Sequence, residues 1–369
     1  MTALFSADSH VNETEDCYAE IDPAYRDRRP RAHYDPVEGA QLIVPGLGFD
    51  IPTSKLSRAG IAYEDWSRPQ RWEELHPAGY DPKARLAIQD EEGIVGEVIY
   101  PSAGMVICQH PDLDYKKACF EAYNRWLARF CETDPKRLIG IGMAAIRTPE
   151  EGVKELEAIA QAGFKGVMLC GDPAFEDYDH PSYAPVWEAA IDLGLPINFH
   201  ILTGKDSYGM SVRGPQVIQQ IVTVRGNQNI IMMMVLGGVF ERHPALRVIM
   251  VENDAGWLPH FSFRLDHAWE RHRWSLETGK ISRRPSEYVN ECVYATFQDD
   301  SSVRYVVDAL NIERIMWASD FPHGDGSFPH SRANAERLLA GRPDDVRHKV
   351  LRGTAERVFR FTPAEPTGD

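Results

Sequence analysis

The sequence predicts a parallel (β/α)8 TIM barrel with a long insertion after its first strand, and three observations predict it. The chain has 369 residues, 43% of them hydrophobic, enough for one barrel of ~250 residues with insertions. Eight short apolar runs alternate with stretches of helical spacing, a pattern that favours a closed parallel sheet over an open one. The first and last runs each deliver an acid and an imidazole, Asp8 with His10 and Asp320 with His323. Only closure of the sheet brings strand ends so distant in sequence to one mouth.

The first strand is 3–10. Periodicity then lapses over 11–82, a stretch rich in Pro, Arg, Asp and Trp. A structureless excursion that long reads as an insertion or lid over the mouth, with a partner-contact surface as the alternative. A helix over 83–92, stopped by Gly93, leads into a strand at 97–101. Residues 114–131 place Tyr115, Ala118, Cys119, Ala122, Trp126 and Phe130 on one helical face. After a strand at 138–145, Thr148 and Glu151 form a capping-box pattern for a helix to residue 162. Then follow a strand at 166–170, a helix at 185–193 ended by Gly194, and a strand at 195–200. The helical region 215–241 includes Met232, Met233 and Met234, which read as core filling. A strand at 247–252 and a helix at 257–278 precede a strand at 292–296, a helix near 301–310 and the eighth strand at 315–318. Residues 1–361 read as one domain and 362–369 as a frayed tail.

The formal net charge of −15 argues against a sequence-independent grip on nucleic acid. Six cysteines without a C-x-x-C pair suit reduced thiols and a cytoplasmic location. The first residues lack the basic and apolar regions of a signal peptide. No apolar run reaches the ~20 residues of a membrane span, so neither membrane nor nucleic acid is an expected partner.

Chemistry concentrates at the carboxyl ends of the strands: Asp8 and His10, His200, Glu252, and Asp320 with His323. Asp8 and His10 are two apart on a strand and point the same way. Any one of these residues is ordinary, a loop anchor or a satisfied polar group; their conjunction on four strand ends is a metal-type constellation. Imidazole and carboxylate donors suit zinc first, with manganese or iron as alternatives. Asp8, His10, His200, Asp320 and Glu252 are the candidate ligands, and Glu252, Asp320 and His323 the candidate catalytic groups. Trp257 and Arg264 could offer substrate an aromatic wall and a carboxylate clamp, the alternative being helix packing and a surface charge. Glu13 reads as a further candidate ligand or as a loop acid.

The segments 7–10, 196–200, 237–252 and 317–323 (Trp-Ala-Ser-Asp-Phe-Pro-His) resemble the amidohydrolase superfamily, in its aminocarboxymuconate-semialdehyde decarboxylase-like branch. The resemblance covers nearly the whole chain, and its last segment is the most specific. It implies a metal-dependent barrel that hydrolyses or non-oxidatively decarboxylates a small organic acid, amide or lactone. It places the metal pattern on Asp8, His10, His200 and Asp320, and implies a homo-oligomer, a dimer in the simplest case. Two positions depart from the pattern. Asp8 stands where the family carries His or Glu, and Glu252 where the branch ends its sixth strand with His. A glutamate donates a proton near neutral pH only if its pKa is raised, so the expected role of Glu252 is a base that activates water. Two other readings stay open. One is a dinuclear non-haem iron or manganese oxygenase using Asp8, Glu13, Glu252, Asp320 and the three imidazoles. The other is a non-catalytic partner subunit.

Overall fold

Eight strand positions line the barrel wall, and the chain reaches them in sequence order. The computed structural model describes residues 2–205, 213–278 and 281–363. Strand β1 is Leu4–Val11; the insertion holds β2 (Arg31–Asp35), β3 (Gly39–Ile43) and helix α1 (Thr53–Leu56). Then come α2 (Pro82–Glu92), β4 (Ile94–Pro101), α3 (Ala103–Ile107), α4 (Leu113–Glu132), β5 (Leu138–Gly140) and β6 (Gly142–Ala144). The middle of the chain adds α5 (Pro149–Gln161), β7 (Val167–Leu169), α6 (Ala184–Leu193) and β8 (Ile197–His200). Helices α7 (Ile218–Val222), α8 (Arg225–Leu236) and α9 (Val239–Arg242) lead to β9 (Val248–Val251) and α10 (Leu258–His272). Then follow α11 (Pro285–Cys292), β10 (Val293–Phe297), α12 (Val303–Val306) and β11 (Ile315–Trp317), and after the last strand the helices α13 (Ser331–Leu338), α14 (Asp344–His348) and α15 (Thr354–Val358).

All wall pairings are parallel, in the order β1-β4-β5 and β6-β7-β8-β9-β10-β11. The third strand is one run in sequence but two in space. Its Ile141 leaves both ladders: β5 pairs with β4, β6 pairs with β7, and Ile141 itself donates to the Ile99 carbonyl. At the closing seam Asp320 N–H donates to Asp8 O (3.1 Å) and His10 N–H to Phe321 O (2.6 Å). The chain thus forms the TIM barrel that its alternation implies. Strands buried on both faces supply the core, from Phe5 and Val98 to Val248, Ala295 and Trp317, which explains their near-continuous apolar runs.

The helices stop where local chemistry stops them. Asp81 caps α2 by accepting from Lys83 and Ala84 N–H, and Gly93 ends it at φ 67°. The Thr148 hydroxyl takes the Glu151 N–H at the start of α5.

Residues 12–81 are not the structureless excursion that their composition suggests. β2 and β3 form an antiparallel hairpin, turned by Asp35, whose carboxylate accepts from Val37 and Glu38 N–H, and by Gly39 at φ 84°. The helical stretch expected over 301–310 is shorter than predicted, with α12 followed by a 3-10 turn at Val307–Ala309. The frayed tail falls, from residue 364, outside the described residues. All six cysteines are unpaired. Among the described residues, no helix is long and apolar enough to cross a membrane.

Candidate metal centre

Four strand ends converge at the carboxyl mouth of the barrel. Asp8 and His10 come from β1, His200 ends β8, Glu252 follows β9, and Asp320 and His323 follow β11. Donor atoms of Asp8, His10, His200 and Glu252 lie within 4.8 Å of one another, as do those of His10, Glu252, Asp320 and His323. His10 Nε2 is 3.3 Å from Asp8 Oδ1 and 3.2 Å from Asp320 Oδ1. His200 Nε2 is 3.7 Å from Asp8 Oδ1 and 3.6 Å from Glu252 Oε2. His323 Nδ1 is 3.2 Å from Asp320 Oδ1.

Backbone and neighbouring side chains set the direction of each group. His10 Nδ1 donates to the Pro101 carbonyl (2.9 Å) and His200 Nδ1 to the Ile201 carbonyl (3.0 Å), which turns both Nε2 atoms toward the centre. His323 is turned the other way, with Nε2 on Ser102 Oγ at 2.9 Å, and its ring stacks on His10 at 3.8 Å between centroids. Glu252 and Asp320 both sit in the left-handed region, at φ 52° and 54°. A non-glycine residue pays for that conformation, and two such residues at one centre mark backbone bent to aim side chains. The Thr296 hydroxyl holds the Glu252 turn by accepting its N–H at 2.8 Å.

The donor set fits a cation. Asp8 Oδ1 and Oδ2, His10 Nε2, His200 Nε2, Glu252 Oε2 and both Asp320 oxygens are buried with no hydrogen-bond partner among the described residues. Buried polar atoms cost free energy unless satisfied, and seven of them gathered in two overlapping donor groups call for positive charge among them. Without that partner, protons and mutual charge must serve. For Asp8, burial pushes the carboxyl up, and the His200 and His10 imidazoles outweigh it and hold it low. Burial likewise opposes the low pKa of Asp320, which His323 and His10 set. Burial also works against protonated His10, yet Asp320 and Asp8 raise it well above its ordinary value. Glu252 is raised well above the usual range by burial first, then by the charges of Asp320 and Asp8. His323 is lowered by burial and by His10.

Depth separates the roles. Asp8, His10, His200 and Asp320 have fully buried side chains, whereas those of Glu252 and His323 are 8% and 7% exposed. The last two are the members of the centre that reach solvent.

Other residues singled out in the sequence lie elsewhere. Glu13 is buried, but Ser102, Ala103 and Gly104 N–H all donate to its carboxylate (3.0, 2.9 and 2.8 Å), so it caps α3 and has no free oxygen for an ion. The seven-donor set counted for a dinuclear oxygenase thereby loses one carboxylate. Trp257 donates its indole N–H to the Asn253 and Asp254 carbonyls (2.6 and 3.1 Å), bracing the turn after Glu252. Arg264 is exposed nearly two turns into α10 and joins neither donor group.

Sequence reasoning passed over four residues here. Asn198, two positions before His200, takes the Tyr100 hydroxyl at 2.8 Å, and the Tyr100 ring lies beside His10 and His200. Their strand positions carried that signal. Ser102 and Arg58 had none, since only the fold brings them near. Arg58 lies in the insertion, where its N–H and that of Ala59 donate to Pro322 O (2.9 and 3.0 Å), and Gly324 N–H donates to Leu56 O (3.2 Å). The insertion therefore pairs with the loop that carries His323. The Arg58 guanidinium stacks 4.5 Å over Trp66, and its Nε is buried without a partner among the described residues.

A family model described as amidohydrolase matches residues 112–361. A 2-amino-3-carboxymuconate-6-semialdehyde decarboxylase of Dictyostelium discoideum is 26% identical over 234 residues, 59% of this chain. The chain spans less than two thirds of that relative's length (63%). An amidohydrolase from Mycobacterium avium subsp. paratuberculosis superposes with a TM-score of 0.80 at 21% identity, over 97% of this chain and 99% of its own. A dihydroxybenzoic acid decarboxylase from Polaromonas, solved with bound manganese and the inhibitor 2-nitroresorcinol, superposes at 0.67 with 19% identity, over 98% and 97%. That ion is manganese, where ligand type alone put zinc first. Because the family model matches well over half of the chain, the protein belongs to the amidohydrolase family.

Proposed function

We propose that this chain is a metal-dependent carboxy-lyase that removes carbon dioxide, without oxidation, from a small aromatic or unsaturated carboxylic acid. The observation that carries the reading is Glu252: a buried carboxyl at the entrance of a cluster of orphaned donors, 3.6 Å from His200 and 3.9 Å from His10. Asp8, His10, His200 and Asp320, the fully buried groups, hold the ion. When bound, the ion supplies positive charge that polarises a substrate oxygen.

The rest falls to the chain. In this reaction the carbon–carboxylate bond breaks, its electron pair stays on the substrate carbon, carbon dioxide leaves, and that carbon gains a proton. In the metal-free centre Glu252 is raised by burial first and then by the neighbouring carboxylates, and a cation bound beside it works against that rise. The place of Glu252, 3.6 Å from His200 and 3.9 Å from His10, suits delivery of that proton from Oε2, and water reloads it. The likeness to a decarboxylase, 26% identical over 59% of this chain, favours decarboxylation over hydrolysis. His323, fixed by Ser102 and Asp320, orients the substrate at the entrance. Arg58 offers a cation to the substrate carboxylate, and the insertion around it serves as a lid that excludes water from the site.

The test is turnover of the manganese-loaded chain with 2,6-dihydroxybenzoate and related acids in deuterated water. The reading expects carbon dioxide release and one deuterium at the carbon that lost the carboxylate. Cleavage of an ester, amide or lactone panel, with no carbon dioxide from any acid, favours the hydrolase instead. The family tie favours a homodimer, which sedimentation would test.

A further inference from the structure

We propose that Arg85 is a positioning residue: it fixes His10 for the ion and ties the insertion to the metal centre. This inference rests on the reading of that centre as a metal site. Arg85 lies on α2, and its side chain is fully buried. Its Nε donates to the Ala78 carbonyl at 2.7 Å, at the end of the insertion. Nη1 reaches Glu97 Oε1 (3.1 Å) on β4 and Ser9 Oγ (3.4 Å) on β1, and Nη2 donates to the carbonyl of His10 itself. The guanidinium plane stacks 4.7 Å over the ring of Phe321, the residue between Asp320 and the loop of His323.

One side chain thus touches both ligand-bearing strand ends at the barrel seam, where β1 and β11 exchange few backbone bonds. All three handles of His10 are held: its N–H by Phe321 O, its imidazole Nδ1 by Pro101 O, and its carbonyl by Arg85. What stays free is Nε2, facing the centre. Glu97, itself buried and held by Gln89 Nε2 at 2.7 Å, balances the charge of Arg85. A buried ion pair can often be exchanged for apolar residues without loss of stability. Here an apolar pair would leave the Ala78 and His10 carbonyls without their donor. Loss of the charge pair is tolerable, but the stranded carbonyls cost stability, so metal affinity and its spectrum are the readouts that report on His10.

The experiment compares wild type, Arg85→Lys and the double variant Arg85→Met/Glu97→Met. Manganese affinity is measured by calorimetry, the electron paramagnetic resonance spectrum of bound manganese is recorded, and metal-free melting is followed. The double variant is expected to melt below wild type and, at temperatures where it stays folded, to bind manganese about 10- to 100-fold more weakly, with an altered spectrum. Arg85→Lys keeps a cation opposite Glu97 and is expected to fall between; it carries the test alone if the double variant does not fold. Wild-type affinity and spectrum in both variants would overturn the proposal and leave the metal reading standing. A wild-type chain that takes up no manganese overturns the metal reading, and the role of Arg85 with it.

Discussion

Replacing Glu252 with Gln should make the metal-free protein more resistant to heat at alkaline pH, although it removes a charged group from the centre. The reason is the direction of its pKa. Burial, Asp320 and Asp8 raise the Glu252 carboxyl well above its ordinary 4.5, with His10 opposing them. A group raised in the folded state contributes stability that is fully present below its unfolded value and is lost as pH rises through the folded one. Above that point the wild type carries a penalty for ionising Glu252 that the neutral amide of the variant does not. Each unit of upward shift that the pH has overtaken is worth about 1.4 kcal/mol. At ~2.1 cal/mol/K per residue, the unfolding entropy of 369 residues is about 0.8 kcal/mol/K, so each such unit moves Tm by about 2 °C. Scanning calorimetry of chelator-treated Glu252→Gln and wild type from pH 5 to 9 should show coincident melting in acid and a lead for the variant that widens with pH. Activity should fall about 10²- to 10⁴-fold, the usual contribution of a positioned acid. A variant that melts below the wild type at pH 9 would refute this electrostatic account.

Other consequences follow from the same geometry. Asp320→Asn should abolish the manganese-induced rise in Tm; at 100 times Kd the wild type gains about 2.7 kcal/mol, which the entropy above converts to a shift of about 3–4 °C in a thermal melt. His10 is held protonated in the metal-free centre by Asp320 and Asp8, so manganese must displace its Nε2 proton. Affinity should rise with pH below the His10 pKa, with proton release measured by calorimetry in two buffers. Arg58→Ala should raise KM about 10-fold or more with a smaller effect on kcat, as expected when a contact that binds substrate and transition state alike is removed. Glu13→Ala should cost roughly 2–3 kcal/mol in a denaturant melt by stranding three N–H groups, and leave manganese affinity near wild type.

The barrel was legible because its wall strands, buried on both faces, read as apolar runs at regular spacing, and because Asp8, His10, His200, Glu252 and Asp320 each end one of them. Three things were not legible. The break at Ile141 depends on which neighbour each half of the third strand pairs with, and both halves are apolar. Glu13 reads in sequence as a ligand or a loop acid and becomes a helix cap only once α3 folds back upon it. The raised pKa of Glu252 comes from burial and then from Asp320 and Asp8, which no local pattern places beside it. The segment between β1 and α2 stands out by its lack of period, but Arg58 and Arg85 meet the centre only through long-range contacts with Pro322 and His10.

The central claim is that Asp8, His10, His200 and Asp320 hold one divalent ion with Glu252 beside it. Anomalous diffraction at the manganese edge from crystals grown with manganese tests it most directly. The account predicts a single peak within bonding distance of those four side chains, with the Glu252 carboxyl outside the coordination sphere. A peak elsewhere in the barrel, or none at saturating manganese, would contradict it.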